Sequence, residues 1–185
     1  MSKLVNDKLS LGTNKAWSTK WTFGKFKDPD GEVARLSKSG MSIDEIKELM
    51  PDRFLEKSIV DGNLALNEGI AELLLLLTGG TATAFDNTNA YIGVGSDATA
   101  ESASQTGLIG VLAYVVMDAT FPTISAQTVT FKATFAAGIG TGSWQEFTVA
   151  NGSSDAADNL NRKVSDKGTK AAGESWIAQV DITVS

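Results

Sequence analysis

Two segments in the second half of the chain alternate strictly between apolar and polar residues. Because successive strand side chains point to opposite faces, a period of two predicts half-buried antiparallel strands. Four shorter segments, "NAYIGVG", "VLAYVVMD", "SWQEFTVAN" and "LNRKVS", predict further strands. The residues expected to face the core are Val129, Phe131, Ala133 and Phe135 in "TVTFKATF", and Trp176, Ala178, Val180, Ile182 and Val184 in "SWIAQVDITVS".

Turn-rich segments, with no helices, separate these strands. This arrangement predicts a mainly β protein whose residues 81–185 form an antiparallel β-sandwich, jelly-roll-like in outline.

A first helix is predicted in "SGMSIDEIKELMPD". Ser42 and Glu45 have the spacing of a capping box, in which each side chain accepts a hydrogen bond from the other residue's backbone amide. Ile43, Ile46 and Leu49 then recur at helical spacing until Pro51 ends the helix.

A second, apolar helix is predicted over residues 62–80, with Asp61 or Asn63 as its N-cap and Gly79-Gly80 at its C-terminus. Its segment "AELLLLLTGG" places leucines on nearly every side of the last turn, which indicates burial all round. The sequence leaves two alternatives open: a core helix beneath a sheet, or a helix packed between subunits.

Residues 1–61 are predicted to form a basic, aromatic N-terminal arm that contains one short helix. The segment "AWSTKWTFGKFKDPDGEV" shows no sustained periodicity, and residues 1–61 hold eleven of the 16 Lys and Arg residues. Aromatic side chains of such an arm would need pockets on their own domain or on a neighbouring protein. The candidate partner-binding residues are Trp17, Lys20, Trp21, Phe23, Lys25 and Phe26.

The amino-acid composition excludes several classes of catalytic and metal-binding site. The chain has 185 residues, 42% of them hydrophobic and 21% charged, which is typical of globular proteins. It contains neither cysteine nor histidine, so thiolate nucleophiles, Ser-His-Asp hydrolysis and His-ligated zinc are excluded. We therefore expect no enzymatic activity, no cofactor and no metal. The net charge of −6 argues against a nucleic-acid partner, and five consecutive leucines are too few to span a membrane.

Three loop motifs are candidates for binding sites. "GVGSDATAESAS" lacks the third glycine or the lysine of a phosphate-binding loop, so it predicts a polar surface loop. Asp155 and Asp158 do not have EF-hand spacing, although a looser calcium loop remains an alternative. Asn151-Gly152-Ser153 matches a glycosylation sequon, but Asn-Gly is also a strong turn dipeptide. The segment from Glu146 to Ser165, which holds the last two motifs, is expected to be a connecting loop.

Several segments together resemble virion structural proteins of tailed bacteriophages and prophages. They are "YIGVGSDATAESASQTGL", "MDATFPTISAQTVTFKATF", the "WQEFTVANG" strand and "LNRKVSDKGTKAAGESWIAQVDITVS", which follow the leucine-rich helix in the same order as in that family. The resemblance covers roughly residues 62–185. It implies a structural protein located in the virion, and none of its motifs is catalytic.

On this basis the sequence predicts a capsid decoration or cement protein that assembles as a homo-oligomer. Its N-terminal part would bind the major capsid protein or other virion proteins. The alternative is a structural protein of the tail, baseplate or fibre, for which a small β-sandwich is equally suited.

Overall fold

The computed structural model describes residues 17–184 and contains two five-stranded antiparallel sheets. The first sheet has, in spatial order, β2 (Phe54–Asp61), β1 (Ser18–Lys27), β12 (Glu174–Thr183), β7 (Thr128–Phe135) and β6 (Thr123–Ser125). The second has β3 (Leu64–Ala65), β10 (Asn161–Val164), β9 (Glu146–Ala150), β4 (Tyr91–Gly95) and β5 (Val111–Val116). A two-stranded ladder joins β8 (Gly142–Ser143) to β11 (Thr169–Lys170).

This architecture confirms the mainly β, antiparallel prediction. The jelly-roll-like arrangement stays a prediction.

The core lies between the two sheets, and the alternation in β7 and β12 sets its composition. Phe131 and Phe135 of β7 and Trp176 and Val180 of β12 are buried in one cluster with residues of β4 and β9. The predicted orientation of these strands is therefore confirmed. Val184 is an exception, because it follows the last residue of β12 and is exposed.

The predicted N-terminal arm is wrong for residues 17–61, because β1 is an interior strand of the first sheet. Trp21 pairs with Val180 of β12 on one side and with Val60 of β2 on the other. Backbone hydrogen bonds on both edges make this segment part of the domain rather than an extension from it. The arm's first 16 residues, including Lys3, Lys8 and Lys15, lie outside the described residues.

Two short helices cover the outer face of the first sheet. They are α1 (Glu32–Lys38) and α2 (Ile43–Leu49), followed by a 3₁₀ turn at Pro51–Arg53. A second apolar cluster holds them to the sheet; its buried members are Phe26, Val33, Leu36, Ile43, Ile46 and Ile177. The sequence did not predict α1. The predicted capping box of α2 is confirmed, since Ser42 Oγ accepts from the Glu45 amide at 3.2 Å and the Glu45 carboxylate accepts from the Ser42 amide at 2.8 Å.

Buried polar groups hold α1 in a fixed position on β7. Lys132 is 1% exposed and donates through Nζ to the carbonyl oxygens of Ser37 and Met41, at 3.1 and 2.6 Å. Thr134 Oγ1 donates to the Asp118 carboxylate at 2.6 Å. Burial lowers the pKa of Lys132 and raises the pKa of Asp118. The cluster has no exposed member, so we assign it a structural role.

The apolar helix, α3, spans Asn67–Thr78. It begins later than predicted because Leu64 and Ala65 pair with β10 as strand β3. Neither Asp61 nor Asn63 is its N-cap, a position that Leu66 occupies without a side-chain hydrogen bond. The predicted glycine C-terminus is confirmed: Gly79 has φ 71°, a left-handed conformation that glycine adopts without strain. None of the described helices is both long and apolar enough to cross a membrane.

We predict that Phe23→Ala lowers the free energy of unfolding by about 3–5 kcal/mol, because Phe23 is completely buried among Trp21, Trp144 and Phe147. Urea denaturation measures this loss. The control is Ile124→Ala in β6, where the side chain is 81% exposed and a change within about 0.5 kcal/mol is expected. If Phe23→Ala left the unfolding midpoint unchanged, β1 would not be part of the core.

Candidate protein interaction surface

Helix α3 lies on the domain with its apolar side outward. Its buried residues are Gly69 and Glu72, and its exposed residues are mostly leucines. We call the exposed apolar set the leucine face; it consists of Ile70, Leu73, Leu74, Leu75, Leu76 and Leu77, which are between 36% and 81% exposed. An amphipathic helix normally buries such residues and exposes its polar ones. The prediction of a core helix beneath a sheet is therefore wrong, and the alternative, a helix packed between subunits, stays a prediction.

The first turn of α3 contacts the chain just before β10. A Cβ atom at Gly69 would lie 2.4 Å from the Leu160 Cα and 2.7 Å from the Asn159 carbonyl oxygen, so only glycine permits this approach. The Glu68 carboxylate accepts from the Asn159 amide at 2.8 Å, and the Asn67 amide donates to the Ala103 carbonyl at 2.8 Å. These contacts fix the first turn of α3 against the backbone of Ala103, Asn159 and Leu160.

Glu72 fixes the rotation of α3 about its own axis. Its Oε1 accepts from the Thr83 amide at 2.6 Å and from the Asn151 side-chain amide at 3.1 Å. A buried carboxylate without such donors would cost several kcal/mol. Turning the helix to bury the leucines would remove the Glu72 carboxylate from both donors, so the leucines stay in solvent.

The stretch between β9 and β10 forms this docking site for α3. Asn151 donates to Glu72 and to the Thr83 carbonyl, and it accepts from the Asp158 amide at 2.9 Å. Because the Asn151 amide nitrogen is buried in these bonds, it is not displayed as a glycan acceptor would be. The predicted connecting loop is confirmed, and it also orients the helix.

The other candidate loops are occupied by the chain's own side chains. Tyr114 Oη donates to Asp155 at 2.6 Å, and burial raises the pKa of Tyr114. Within residues 17–184, no three acidic side chains converge as a metal site would require. The Glu146 carboxylate accepts from the Asp97 amide of the "GVGSDATAESAS" segment at 3.4 Å, and from the Ile109 and Gly110 amides that follow this segment at 3.1 and 2.6 Å. These amides point at an internal carboxylate.

The predicted partner-binding residues do not form a surface. Three of the aromatics, Trp21, Phe23 and Phe26, are completely buried in the domain's own clusters, so their prediction as docking anchors is wrong. Lys25 is also buried, and its Nζ donates to Glu56 at 2.6 Å and to the Lys167 carbonyl at 2.5 Å.

The remaining two candidates lie at the start of β1. Trp17 is half-buried and donates through Nε1 to Asn63 Oδ1 at 3.1 Å. Lys20 is exposed and lines an open groove that also contains Asp61 and Asp181, its cross-strand partners in β2 and β12. Two carboxylates therefore flank the one exposed lysine of the predicted set, and this region is not a basic docking patch.

The sequence did contain one signal for the leucine face. Five consecutive leucines in a 12-residue helix occupy more than one side, so they cannot all face one core. Gly69 and Glu72, three residues apart, share one side of the helix.

No protein-family model, curated protein or solved structure matches the chain. The leucine face is therefore identified from its geometry.

We predict that Glu72→Ala destabilises the domain by about 1–3 kcal/mol, because it leaves the Thr83 amide and the Asn151 side chain without their acceptor. Leu74→Ala, at a 56% exposed position of the same helix, should change the free energy of unfolding by less than about 0.5 kcal/mol. Urea denaturation of dilute protein compares the two. A larger loss for Leu74→Ala than for Glu72→Ala would mean that the leucines, not the carboxylate, face the domain.

Proposed function

We propose that this protein is a non-catalytic structural protein of a tailed-phage virion, in which the leucine face of α3 contacts a neighbouring protein subunit. The observation that carries the proposal is the outward orientation of that face. Contiguous exposed apolar surface of a few hundred Å² marks interaction sites on soluble proteins, because leaving it in water is unfavourable.

The way α3 is held supports a permanent contact. Hydrogen bonds of Glu68 and Glu72, and the close approach at Gly69, hold the leucines in place before any partner binds. A pre-organised surface loses little conformational entropy on association. Such a surface suits a subunit that stays in an assembly.

The virion assignment is supported by the resemblance of residues 62–185 to virion structural proteins. The same stretch supplies α3, the second sheet and strands β7 and β12. A chain without histidine or cysteine suits a structural role better than a hydrolytic one. Within the virion we propose decoration of the capsid, with the sandwich on the outer surface and α3 at the contact with adjoining subunits.

The test is to measure whether the protein is present in purified particles and whether the leucine face is needed for its attachment. Quantitative mass spectrometry should find it in a fixed ratio to the major capsid protein, and immunogold labelling should place it on heads. Labelling of tails would instead locate it in the tail, baseplate or fibre.

Two matched variants then test the contact. Leu77 in α3 and Ile124 in β6 are both 81% exposed, so Leu77→Lys and Ile124→Lys make a similar apolar-to-charged change on different elements. Added to particles that lack the protein, wild type and Ile124→Lys should attach, and Leu77→Lys should not. Absence of the protein from particles, or full attachment of Leu77→Lys, would contradict the proposal.

A further inference from the structure

We infer that the partner of the leucine face is the leucine face of a second copy of this chain, with the two α3 helices antiparallel about a twofold axis. This inference rests on the proposed function only in assigning α3 to a protein contact.

The spacing of the central leucines is self-complementary. Ile70, Leu73, Leu74 and Leu77 follow one another at intervals of three, one and three residues, which places them on one stripe of the helix. This pattern is the same in both directions. An antiparallel second helix, centred between positions 73 and 74, therefore brings Ile70 against Leu77 of the other copy and Leu73 against Leu74. A twofold interface requires this reciprocity of residue contacts.

The charge of α3 also fits a copy of itself better than a charged partner. The helix has no lysine or arginine, and its two acidic residues, Glu68 and Glu72, are directed to the domain by their hydrogen bonds. The leucine face is thus uncharged along its length and offers a charged partner nothing to pair with. Antiparallel packing would also set the two helix dipoles in opposite directions, which is favourable.

The available area fits a small, weak contact. From their exposed fractions, the four side chains of the stripe present on the order of 400 Å² per copy, or about 800 Å² for a pair, which lies at the low end of specific interfaces. Leu75 and Leu76 lie on either side of Glu72 around the helix, at about 60° and 40° from it, so they fall outside this contact. Ala71 is exposed beside Ile70 and Leu74, and its small side chain leaves room for a leucine of the other helix.

Sedimentation equilibrium over a roughly hundredfold range of concentration tests the pairing. Wild type and Ile124→Lys should reach twice the chain mass, and Leu77→Lys should associate about 30-fold more weakly or worse, because it places a charge against Ile70 of the other copy. Urea denaturation of Leu77→Lys serves as the folding control. A wild-type monomer at every concentration, assembly unaffected by Leu77→Lys, or assembly into three or more copies would each overturn the twofold pairing.

The orientation has a test of its own, because the chain has no cysteine. Under mild oxidation, a mixture of Ile70→Cys and Leu77→Cys proteins, one carrying a size tag, should give a mixed disulfide. Each variant alone should give little dimer, since identical positions would lie about 10 Å apart along antiparallel helices, too far for a disulfide. Efficient disulfide formation by either variant alone would indicate parallel helices and overturn the inference.

Together with the particle-attachment test, these experiments distinguish failure of the pairing from failure of the proposed function. A wild-type monomer whose attachment to particles still requires Leu77 would exclude the pairing and keep the virion role. A dimer that is absent from particles would keep the pairing and exclude the virion role.

Discussion

The Glu72 carboxylate determines which side of α3 faces the protein, and the proposed interaction surface depends on that choice. Its two donors, the Thr83 amide and the Asn151 side chain, come from different parts of the chain and are fixed by their own hydrogen bonds and packing. A buried carboxylate must keep its donors, whereas exposed leucines lose only favourable burial that a partner can restore. The domain therefore keeps Glu72 inside and leaves the leucines for another molecule.

A second buried carboxylate organises the surroundings of α3. Glu146 of β9 pairs with Arg162 of β10, whose Nε donates to Oε2 at 2.8 Å, with both side chains completely buried. Arg162 Nη1 also donates to the Thr99 carbonyl at 2.9 Å, and Glu146 accepts from the Gly110 amide. These bonds hold the loop between β4 and β5 against the second sheet, and Ala103 in that loop receives the first amide of α3. Buried ion pairs of this kind add less to stability than to a defined geometry, and here the geometry positions the helix.

The sequence predicted the strands that carry most of their apolar side chains on one face and failed where apolar side chains occupy both faces. β7 and β12 alternate because their aromatic and aliphatic residues meet the second sheet, and that pattern is visible in eight to ten residues. β1 is buried by the second sheet on one face and by α1 and α2 on the other, so its apolar residues do not alternate cleanly. Lys25 obscured the pattern further, because its charge is satisfied by Glu56 and the Lys167 carbonyl, which are distant in sequence.

The candidate surface was predictable only in part. Periodicity and glycines identified α3, but its orientation depends on a hydrogen bond between Glu72 and Asn151, which are 79 positions apart. No local pattern reports such a contact. The aromatic residues near the N-terminus indicate an interface because an extended segment with Trp and Phe needs partners. The sequence does not show that this segment pairs with β2 and β12 of its own domain.

Footprinting of the leucine side chains tests the central claim that the leucine face points outward and is covered by another molecule. Hydroxyl radicals label exposed leucine and isoleucine side chains, and mass spectrometry quantifies the label on the α3 peptide. An outward leucine face should be labelled strongly in dilute protein and protected in concentrated or assembled protein, while Ile124 should be labelled equally in the dilute and the concentrated protein. Protection of the α3 leucines in dilute monomer, to the same degree as the buried Ile92 and Leu66, would show that the chain itself covers them and would contradict the outward orientation.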